Sequence, residues 1–153
     1  MIEIIKKRYK FILLILVILF LDQITKRIII TNIDTLINKS FIIFRLAYIE
    51  NYGAAFNVFS GNRIFLALIS IVSSIILIYL TIFRNGFNKL DRIGLSLILG
   101  GSIGNGIDRI LNGFVIDFID INGIKFPIFN IADISINLGF FLLIISIFNG
   151  NKK

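Results

Sequence analysis

The stretch at residues 100–137, GGSIGNGIDRILNGFVIDFIDINGIKFPIFNIADISIN, places polar, flexible and charged residues between two strongly apolar runs. It contains four aspartates, Asp108, Asp117, Asp120 and Asp133. An ionisable side chain at membrane depth costs at least about 2.5 kcal/mol, so such residues are rare and usually functional. We therefore interpret this stretch as a functional site and the other segments as its walls.

The composition removes most catalytic chemistries from this site. The chain has no His and no Cys, which excludes a Ser-His triad, a Cys-His pair, a His or thiolate zinc site and a disulfide bond. Three options remain: carboxylate chemistry, a Ser with a Lys, or no catalysis. No metal or cofactor is expected, because the sequence offers no dedicated set of cation ligands.

The chain is rich in apolar residues. They make up 57% of its 153 residues, a fraction above that of globular proteins. This length allows several membrane spans but hardly a further soluble domain, so we predict one all-α integral membrane domain over residues 1–153. The net charge of +7 would suggest a nucleic-acid partner in a soluble chain. Here the basic residues lie at the ends of apolar runs, as the positive-inside rule describes, so no nucleic-acid partner is expected.

Four apolar runs predict four transmembrane helices, at about residues 11–30, 64–83, 93–112 and 129–148. The first run could be a signal peptide, but it lacks a small-x-small cleavage site, and its 20 residues would extend roughly 30 Å as a helix. We therefore predict a retained helix. The basic N-terminus, the loop around Lys89 and the pair Lys152 and Lys153 form three basic segments on one side. Both termini are therefore predicted to face the cytoplasm.

Two regions outside the spans predict a small extracytoplasmic β-sheet or hairpin. Residues 41–49 are rich in Phe, Ile and Tyr, which favour strands. Residues 114–121 and 124–129 flank Asn122-Gly123, a strong two-residue turn signal, and predict a hairpin that carries Asp117. Side chains alternate along a strand, so Asp117 and Asp120 lie on opposite faces. Alternation alone does not decide which of them belongs to the site.

The predicted topology gathers embedded charges at the outer leaflet. Asp22 and Lys26 are four residues apart on the first helix and form either a structural ion pair or part of a site. In the third helix, Asn105, Asp108 and Asn112 lie on one polar stripe. Arg109 lies four residues beyond Asn105. A random scatter of structural ion pairs would not be so one-sided.

Polar residues also mark the entrances of the second and fourth helices. Residues 51–56 contain small side chains that either permit close backbone approach or simply begin a helix. Asn130, Asp133 and Asn137 share one face at the outer start of the fourth helix. Asn130 and Asp133 also have the spacing of a capping box, which does not exclude a catalytic role. A carboxylate in a first turn is stabilised as the anion, so Asp133 is the more readily ionised partner of a carboxylate pair.

Five motifs occur in order between the predicted spans: DQITK at 22–26, NYGAAF at 51–56, GNGIDR at 104–109, VIDFID at 115–120 and FNIAD at 129–133. Together they resemble the lipoprotein signal peptidase family, signal peptidase II, over nearly the whole chain. The resemblance implies a bacterial four-helix aspartyl peptidase of the inner membrane, with its active site on the extracytoplasmic side. It would remove the signal peptide from prolipoproteins, cut just before a diacylglyceryl-modified cysteine, act as a monomer within membrane lipid and be inhibited by globomycin.

The resemblance also implies roles for individual residues. Asp117 and Asp133 match the catalytic pair, which would exclude Asp120. The positions that match site-shaping or substrate-holding residues are Asp22, Lys26, Asn51, Gly53, Asn105, Asp108, Arg109 and Asn130. The chain has no Trp and carries Phe126 before the proline, where the family often has Trp. Two adjacent carboxylates would share one proton. Either Asp133 activates water and Asp117 is protonated against the scissile carbonyl, or the two roles are reversed, because the pair titrates as a unit.

Two other functions fit the same residues. A small proton or cation carrier would use the embedded carboxylates as a relay, although the sequence shows no convincing internal repeat of the kind common in carriers. A serine-lysine peptidase would use Lys26, but no serine near the cluster has an evident partnership with it. Cleavage of a lipidated precursor would distinguish these hypotheses.

Overall fold

The computed structural model describes residues 2–54 and 58–150. Within these residues it contains five helices and two strands. In chain order they are α1 (Ile2–Thr31), α2 (Ile33–Leu36), β1 (Phe44–Asn51), α3 (Arg63–Ile78) with a π-helical continuation (Tyr79–Phe83), α4 (Lys89–Leu111), β2 (Val115–Ile121) and α5 (Ile131–Gly150). The motif residues Ala55 and Phe56 and the basic pair Lys152 and Lys153 lie outside the described residues.

The four long helices match the four apolar runs. The α3 helix with its continuation, Arg63–Phe83, and the α5 segment Ile131–Asn149 are long and apolar enough to cross a membrane, with hydropathies of 2.6 and 2.2. Helices α1 and α4 carry more charged side chains than these two, because they contribute Asp22, Lys26 and Asp108 to the protein interior. The chain is thus mostly helical with one small sheet, as the sequence predicts.

Helix α4 is the central element and packs against α1, α3 and α5. Its glycines allow this close approach. A Cβ added to Gly101 would lie 2.5 Å from the carbonyl oxygen of Ala132 in α5, and one added to Gly104 would overlap the Asp22 carboxylate in α1. Because the backbones meet at these points, the polar side chains of α1, α4 and the start of α5 are brought within hydrogen-bonding distance.

The sheet consists of β1 and β2, which pair antiparallel from Phe44 opposite Ile121 to Asn51 opposite Val115. The register shifts between Leu46 and Ile49, where β1 contains a bulge. The sheet packs on the end of α1 through a cluster of buried residues, Ile29, Ile116 and Phe118. It therefore holds the start of β2 against the C-terminal end of α1.

The predicted hairpin over residues 114–129 is wrong in its second half. Residues 124–127 form no strand, and the partner of β2 is β1, which lies far earlier in the chain. Asn122-Gly123 does form a turn, with a φ of +79° at Gly123, but the Asn122 side chain donates to the Phe41 carbonyl at 2.7 Å and so connects the turn to β1. On the other edge of β2, residues 124–129 contribute one isolated bridge, between Ile119 and Phe129, in place of the predicted strand.

Candidate active site

Asp117 lies in the middle of β2 and is only 2% exposed. Strand β2 follows α4 after three residues, and Gly113 in this link has a φ of +91°, a value that favours glycine. Asp120, on the other face of the strand, forms an ion pair with Arg45 at the surface, with 2.6 Å between Arg45 Nε and Asp120 Oδ2. The structure thus distinguishes the two aspartates that strand alternation left equivalent.

Asp133 lies in the first turn of α5 and forms a capping box with Asn130. The Asp133 backbone N–H donates to Asn130 Oδ1 at 2.9 Å, and the Asn130 backbone N–H donates to Asp133 Oδ2 at 3.2 Å. The capping interaction predicted from the spacing is confirmed. The hydrogen bond to Oδ2 fixes the orientation of the Asp133 carboxylate at the N-terminus of α5.

Three asparagine side chains direct their NH₂ groups at the two carboxylates. Asn51 Nδ2 donates to Asp117 Oδ2 at 2.9 Å, and Asn130 Nδ2 donates to Asp117 Oδ1 at 2.7 Å. Asn105 Nδ2 donates to Asp133 Oδ1 at 2.8 Å. Each carboxylate therefore accepts two hydrogen bonds from polar groups that come from different elements.

The oxygen atoms of the same amides accept hydrogen bonds from other donors, which fixes the orientation of each amide. Asn51 Oδ1 accepts from the Gly53 backbone N–H at 2.9 Å. Asn105 Oδ1 accepts from Lys26 Nζ at 3.0 Å and from Asn130 Nδ2 at 3.2 Å. Asn130 Oδ1 is occupied by the backbone of α5, as described above. An amide that flipped would place an oxygen against a carboxylate and leave a donor without an acceptor, so the donor edges stay on the aspartates.

A buried ionic cluster lies behind these amides. Lys26 Nζ is 2.8 Å from Asp22 Oδ2 and 2.8 Å from Asp108 Oδ2, and all three side chains are nearly inaccessible. Asp22 Oδ1 accepts from the Ala132 backbone N–H at 3.0 Å, next to Asp133. The cluster therefore joins α1, α4 and α5 at the level of the site. In the described part of the chain, the polar contacts of Lys26 include no serine hydroxyl, which gives no support to the serine-lysine alternative.

Arg109 connects the site to the segment after β1. Its Nη2 donates to the Gly53 carbonyl at 3.1 Å, and its Nη1 donates to the Asn105 carbonyl at 3.4 Å. Arg109 also lines the cavity that Asp117 and Asp133 line. It thus offers a cation at the cavity while it holds Gly53 beside Asn51.

Asp117 and Asp133 line one cavity of about 470 Å³ between the sheet and helices α3, α4 and α5. Its polar wall also includes Asn51, Asn105 and Arg109. The remaining wall is mostly apolar, with Leu66, Ile69, Phe126, Pro127, Ile128, Phe129 and Ile136, and it includes four small polar residues, Ser70, Ser73, Ser102 and Asn137. The cavity therefore joins a polar end to a long apolar side.

Burial raises the pKa of Asp117 to about 6. The hydrogen bond from Asn51 opposes this shift, the negative charge of Asp133 adds to it, and Asn130 and Lys26 again lower the pKa. A carboxyl with such a pKa is protonated for an appreciable fraction of time near neutral pH. The two aspartates consequently differ in environment: Asp117 is held nearer to its neutral form, and Asp133 is held at a helix N-terminus.

All ten residues predicted for the site belong to one hydrogen-bonded group. Gln23, which the sequence reasoning missed although it lies in the DQITK motif, also belongs to it, because Gln23 Nε2 donates to Asp22 Oδ2 and Asp108 Oδ1 at 3.1 Å each. Asn112, predicted on the same polar stripe as Asn105, instead lies exposed at the end of α4. The stripe therefore turns away from the site after Arg109.

Comparisons with known proteins agree with this geometry. The family model described as Signal peptidase (SPase) II matches residues 14–149. A lipoprotein signal peptidase of Gloeothece citriformis is 39% identical over 146 residues, which covers 94% of this chain and 91% of the relative. One of Staphylococcus aureus is 40% identical over 150 residues, covering 93% and 91%. A solved structure described as a bacterial membrane enzyme superposes with a TM-score of 0.82 at 39% identity, covering 94% of this chain and 92% of that one.

Proposed function

Because this chain belongs to the signal peptidase II family, we propose that it is an aspartic peptidase that removes the signal peptide from prolipoproteins, with Asp117 and Asp133 as its catalytic pair. The observation that carries this proposal is the shared cavity, into which two carboxylates from β2 and α5 project with their hydrogen-bond donors fixed. Such a pair in unequal environments is what peptide hydrolysis by two carboxyl groups requires.

The same proposal includes four membrane-spanning helices, α1, α3 with its continuation, α4 and α5. The high hydropathy of α3 and α5 supports it, and so does the distribution of side chains on α1. Leu13, Leu16 and Phe20 are more than half exposed, whereas Asp22 and Lys26 are buried against α4. A helix that turns its charges inward and its apolar residues outward is suited to lipid surroundings.

The proposed orientation places the site on the outer side of the cytoplasmic membrane and the termini in the cytoplasm. The basic residues before α1 and between α3 and α4 support this orientation through the positive-inside rule. Asp117, Asp133 and the ionic cluster all lie at the opposite end of the helices from these basic segments. One chain contains the complete hydrogen-bonded group, which is consistent with a monomeric enzyme.

In the proposed mechanism, Asp133 is the general base and Asp117 is the acid. Asp133, held as the anion by the first turn of α5 and by Asn105, takes a proton from a water molecule that attacks the scissile carbonyl carbon. Protonated Asp117 donates a hydrogen bond to the carbonyl oxygen and stabilises the negative charge that develops there. The proton held by Asp133 then passes to the leaving nitrogen when the tetrahedral intermediate collapses. Asn51 and Asn130 keep Asp117 in place during these steps.

The substrate of this proposal is a precursor whose cysteine carries a diacylglyceryl group, with cleavage directly before that cysteine. The apolar side of the cavity supports this choice, because Leu66, Ile69 and Ile136 offer a surface on which a signal peptide and acyl chains can be buried. Globomycin is expected to inhibit the enzyme by occupying the same cavity.

The test is cleavage of a diacylglyceryl-modified precursor by the purified protein and by three variants, Asp117→Asn, Asp133→Asn and Asp120→Asn. The first two should lose cleavage by at least about 10³-fold, since each removes a proton transfer or the charge that drives it. Asp120→Asn is the matched control, because this aspartate of the same strand pairs with Arg45 at the surface. Full activity in either of the first two variants would refute the proposed pair, and an uncut precursor with the unmodified protein would instead favour the carrier hypothesis.

A further inference from the structure

Two polar side chains on the cavity wall have no assigned role. Asn137 in α5 and Ser102 in α4 both line the cavity, and among the described residues neither side chain makes a hydrogen bond. Ser70 and Ser73 on α3 line the same cavity but are already paired, since Ser70 Oγ donates to the Leu66 carbonyl at 3.0 Å and Ser73 Oγ donates to the Ser70 carbonyl at 3.1 Å. Asn137 and Ser102 thus keep their donors and acceptors available for a molecule in the cavity.

The two residues lie at different depths of the cavity. Asn137 follows Asp133 by four residues and so lies roughly 6 Å further along α5, away from the start of that helix. Ser102 follows Gly101, where the backbones of α4 and α5 meet, because a Cβ on Gly101 would contact Ala132 and Ser135. Ser102 therefore lies near the level of Asp133, and Asn137 lies about one helical turn deeper, on the membrane side of the site.

Asn137 is exposed and Ser102 is half-buried in the structure. In the proposed membrane surroundings, an unpaired amide at this depth is costly unless something polar reaches it. The apolar wall can accommodate acyl chains without any polar group, so Asn137 and Ser102 are not needed to bind hydrocarbon. A peptide segment is different. A peptidase acts on extended substrate, and a signal peptide that leaves its helix inside the membrane exposes backbone N–H and C=O groups that have no water to bind.

Resting on the proposed function, we propose that Ser102 and Asn137 form a subsite for the extended peptide backbone of the signal peptide, with Ser102 beside the cleaved bond and Asn137 about two residues before it. The position of Asn137 follows from the distance, since an extended chain advances roughly 3.3 Å per residue and Asn137 lies roughly 6 Å from Asp133 along α5. The bound residues precede the cleaved bond, because the apolar part of a signal peptide lies before this bond and in the lipid. The Asn137 amide can both donate to a carbonyl and accept from an N–H of this segment.

The test compares Asn137→Leu, Ser102→Ala and the control Ser96→Ala on a synthetic diacylglyceryl-modified peptide. Asn137→Leu keeps the number and branching of the side-chain heavy atoms and should lower kcat/KM roughly 3- to 10-fold, as loss of one uncharged hydrogen bond does, and Ser102→Ala should have a similar or smaller effect. Ser96→Ala should leave kcat/KM unchanged, because Ser96 of the same helix as Ser102 does not line the cavity and its hydroxyl donates to the Arg92 carbonyl at 2.7 Å. Thermal stability of each variant is measured in parallel, so that a loss of folding is recognised.

A second series identifies the bound group. Peptides in which a single amide bond is replaced by an ester, at each of the three positions before the cleaved bond, remove one backbone N–H at a time. One of them should be cut more slowly by the unmodified protein and suffer no further loss with Asn137→Leu. If the loss caused by the ester and the loss caused by Asn137→Leu multiply at every position, Asn137 contacts none of these amides and the subsite is overturned. Unchanged kcat/KM for Asn137→Leu would overturn it as well.

The subsite would also be overturned if Asn137→Leu lowered kcat/KM for a substrate with ester-linked acyl chains but not for one with ether-linked chains. Asn137 would then bind the glyceride esters and not the peptide. Failure of the unmodified protein to cut any lipidated peptide would count against the proposed function itself. This result differs from all the others, because in each of them the unmodified protein cuts the lipidated peptide.

Discussion

Replacing Lys26 by Met tests the buried ionic cluster. Lys26 Nζ lies 2.8 Å from a carboxylate oxygen of Asp22 and 2.8 Å from one of Asp108, and these side chains are 0% and 4% accessible. The Met side chain fills a similar volume but leaves two neighbouring carboxylates without a counter-charge. Breaking a buried ion pair in this way costs about 3–5 kcal/mol, whereas natural domains have only about 5–15 kcal/mol of total stability.

The measurement is thermal unfolding of the purified protein in detergent. For a chain of this size, a change of 1 kcal/mol moves the Tm by roughly 2–4 °C, so Lys26→Met should lower it by roughly 6–20 °C. The Asp120→Asn variant is a control for loss of an ion pair at the surface. Because Arg45 is 57% exposed, that change should cost no more than about 1 kcal/mol.

A double variant checks the cause of the loss. Asp22→Asn removes one of the two uncompensated charges, and the Asn oxygen can still accept the hydrogen bond from the Ala132 backbone N–H. Lys26→Met with Asp22→Asn should therefore be more stable than Lys26→Met alone, although it lacks one more native side chain. Two results would show that charge pairing in the cluster does not stabilise the packing of the helices. One is a Tm of Lys26→Met within 2–3 °C of the unmodified protein, and the other is a double variant less stable than Lys26→Met alone.

Two further predictions concern the pH dependence and the packing of the site. Burial raises the pKa of Asp117 to about 6, and the hydrogen bond from Asn51 lowers it, so Asn51→Ala should raise it further. Since the proposed mechanism needs protonated Asp117, kcat/KM should fall as the pH rises through this pKa. In Asn51→Ala this fall should occur at higher pH. A fall at the same or at lower pH would contradict the assignment of Asp117 as the protonated partner. Gly104→Ala should lower stability by about 1–3 kcal/mol and reduce cleavage, because its Cβ overlaps the Asp22 carboxylate. Equal Tm and activity for Gly104→Ala and the unmodified chain would show that α1 can move away from α4 without cost.

The helices and most of the site could be predicted from the sequence because their signals are local. Long apolar runs determine the four long helices, and the four-residue spacing of Asp22 and Lys26 predicts their contact. The spacing of Asn130 and Asp133 likewise predicts the capping box. Each of these interactions lies within one helix, where the geometry of the backbone alone brings the side chains together.

The remaining features depend on contacts between distant segments. The turn at Asn122-Gly123 indicated a hairpin, but the strand that pairs with β2 lies about seventy residues earlier, and a turn signal contains no information about it. The contact between Lys26 and Asp108 and the orientation of the Asn105 amide likewise depend on how closely α1 and α4 pack. Strand alternation gave Asp117 and Asp120 equal weight, and only the family resemblance favoured Asp117. The register of the sheet, which pairs Asp120 with Arg45 and Asp117 with Ile49, depends on β1 and is not contained in the local sequence.

The orientation of the Asn105 amide has a consequence for biosynthesis. Its donor edge faces Asp133 because an ammonium group from the first helix occupies its oxygen. A chain in which α1 and α4 have not yet packed lacks the Lys26 contact that holds the Asn105 oxygen. Under the proposed mechanism, the newly made protein therefore becomes active only once these two helices have come together.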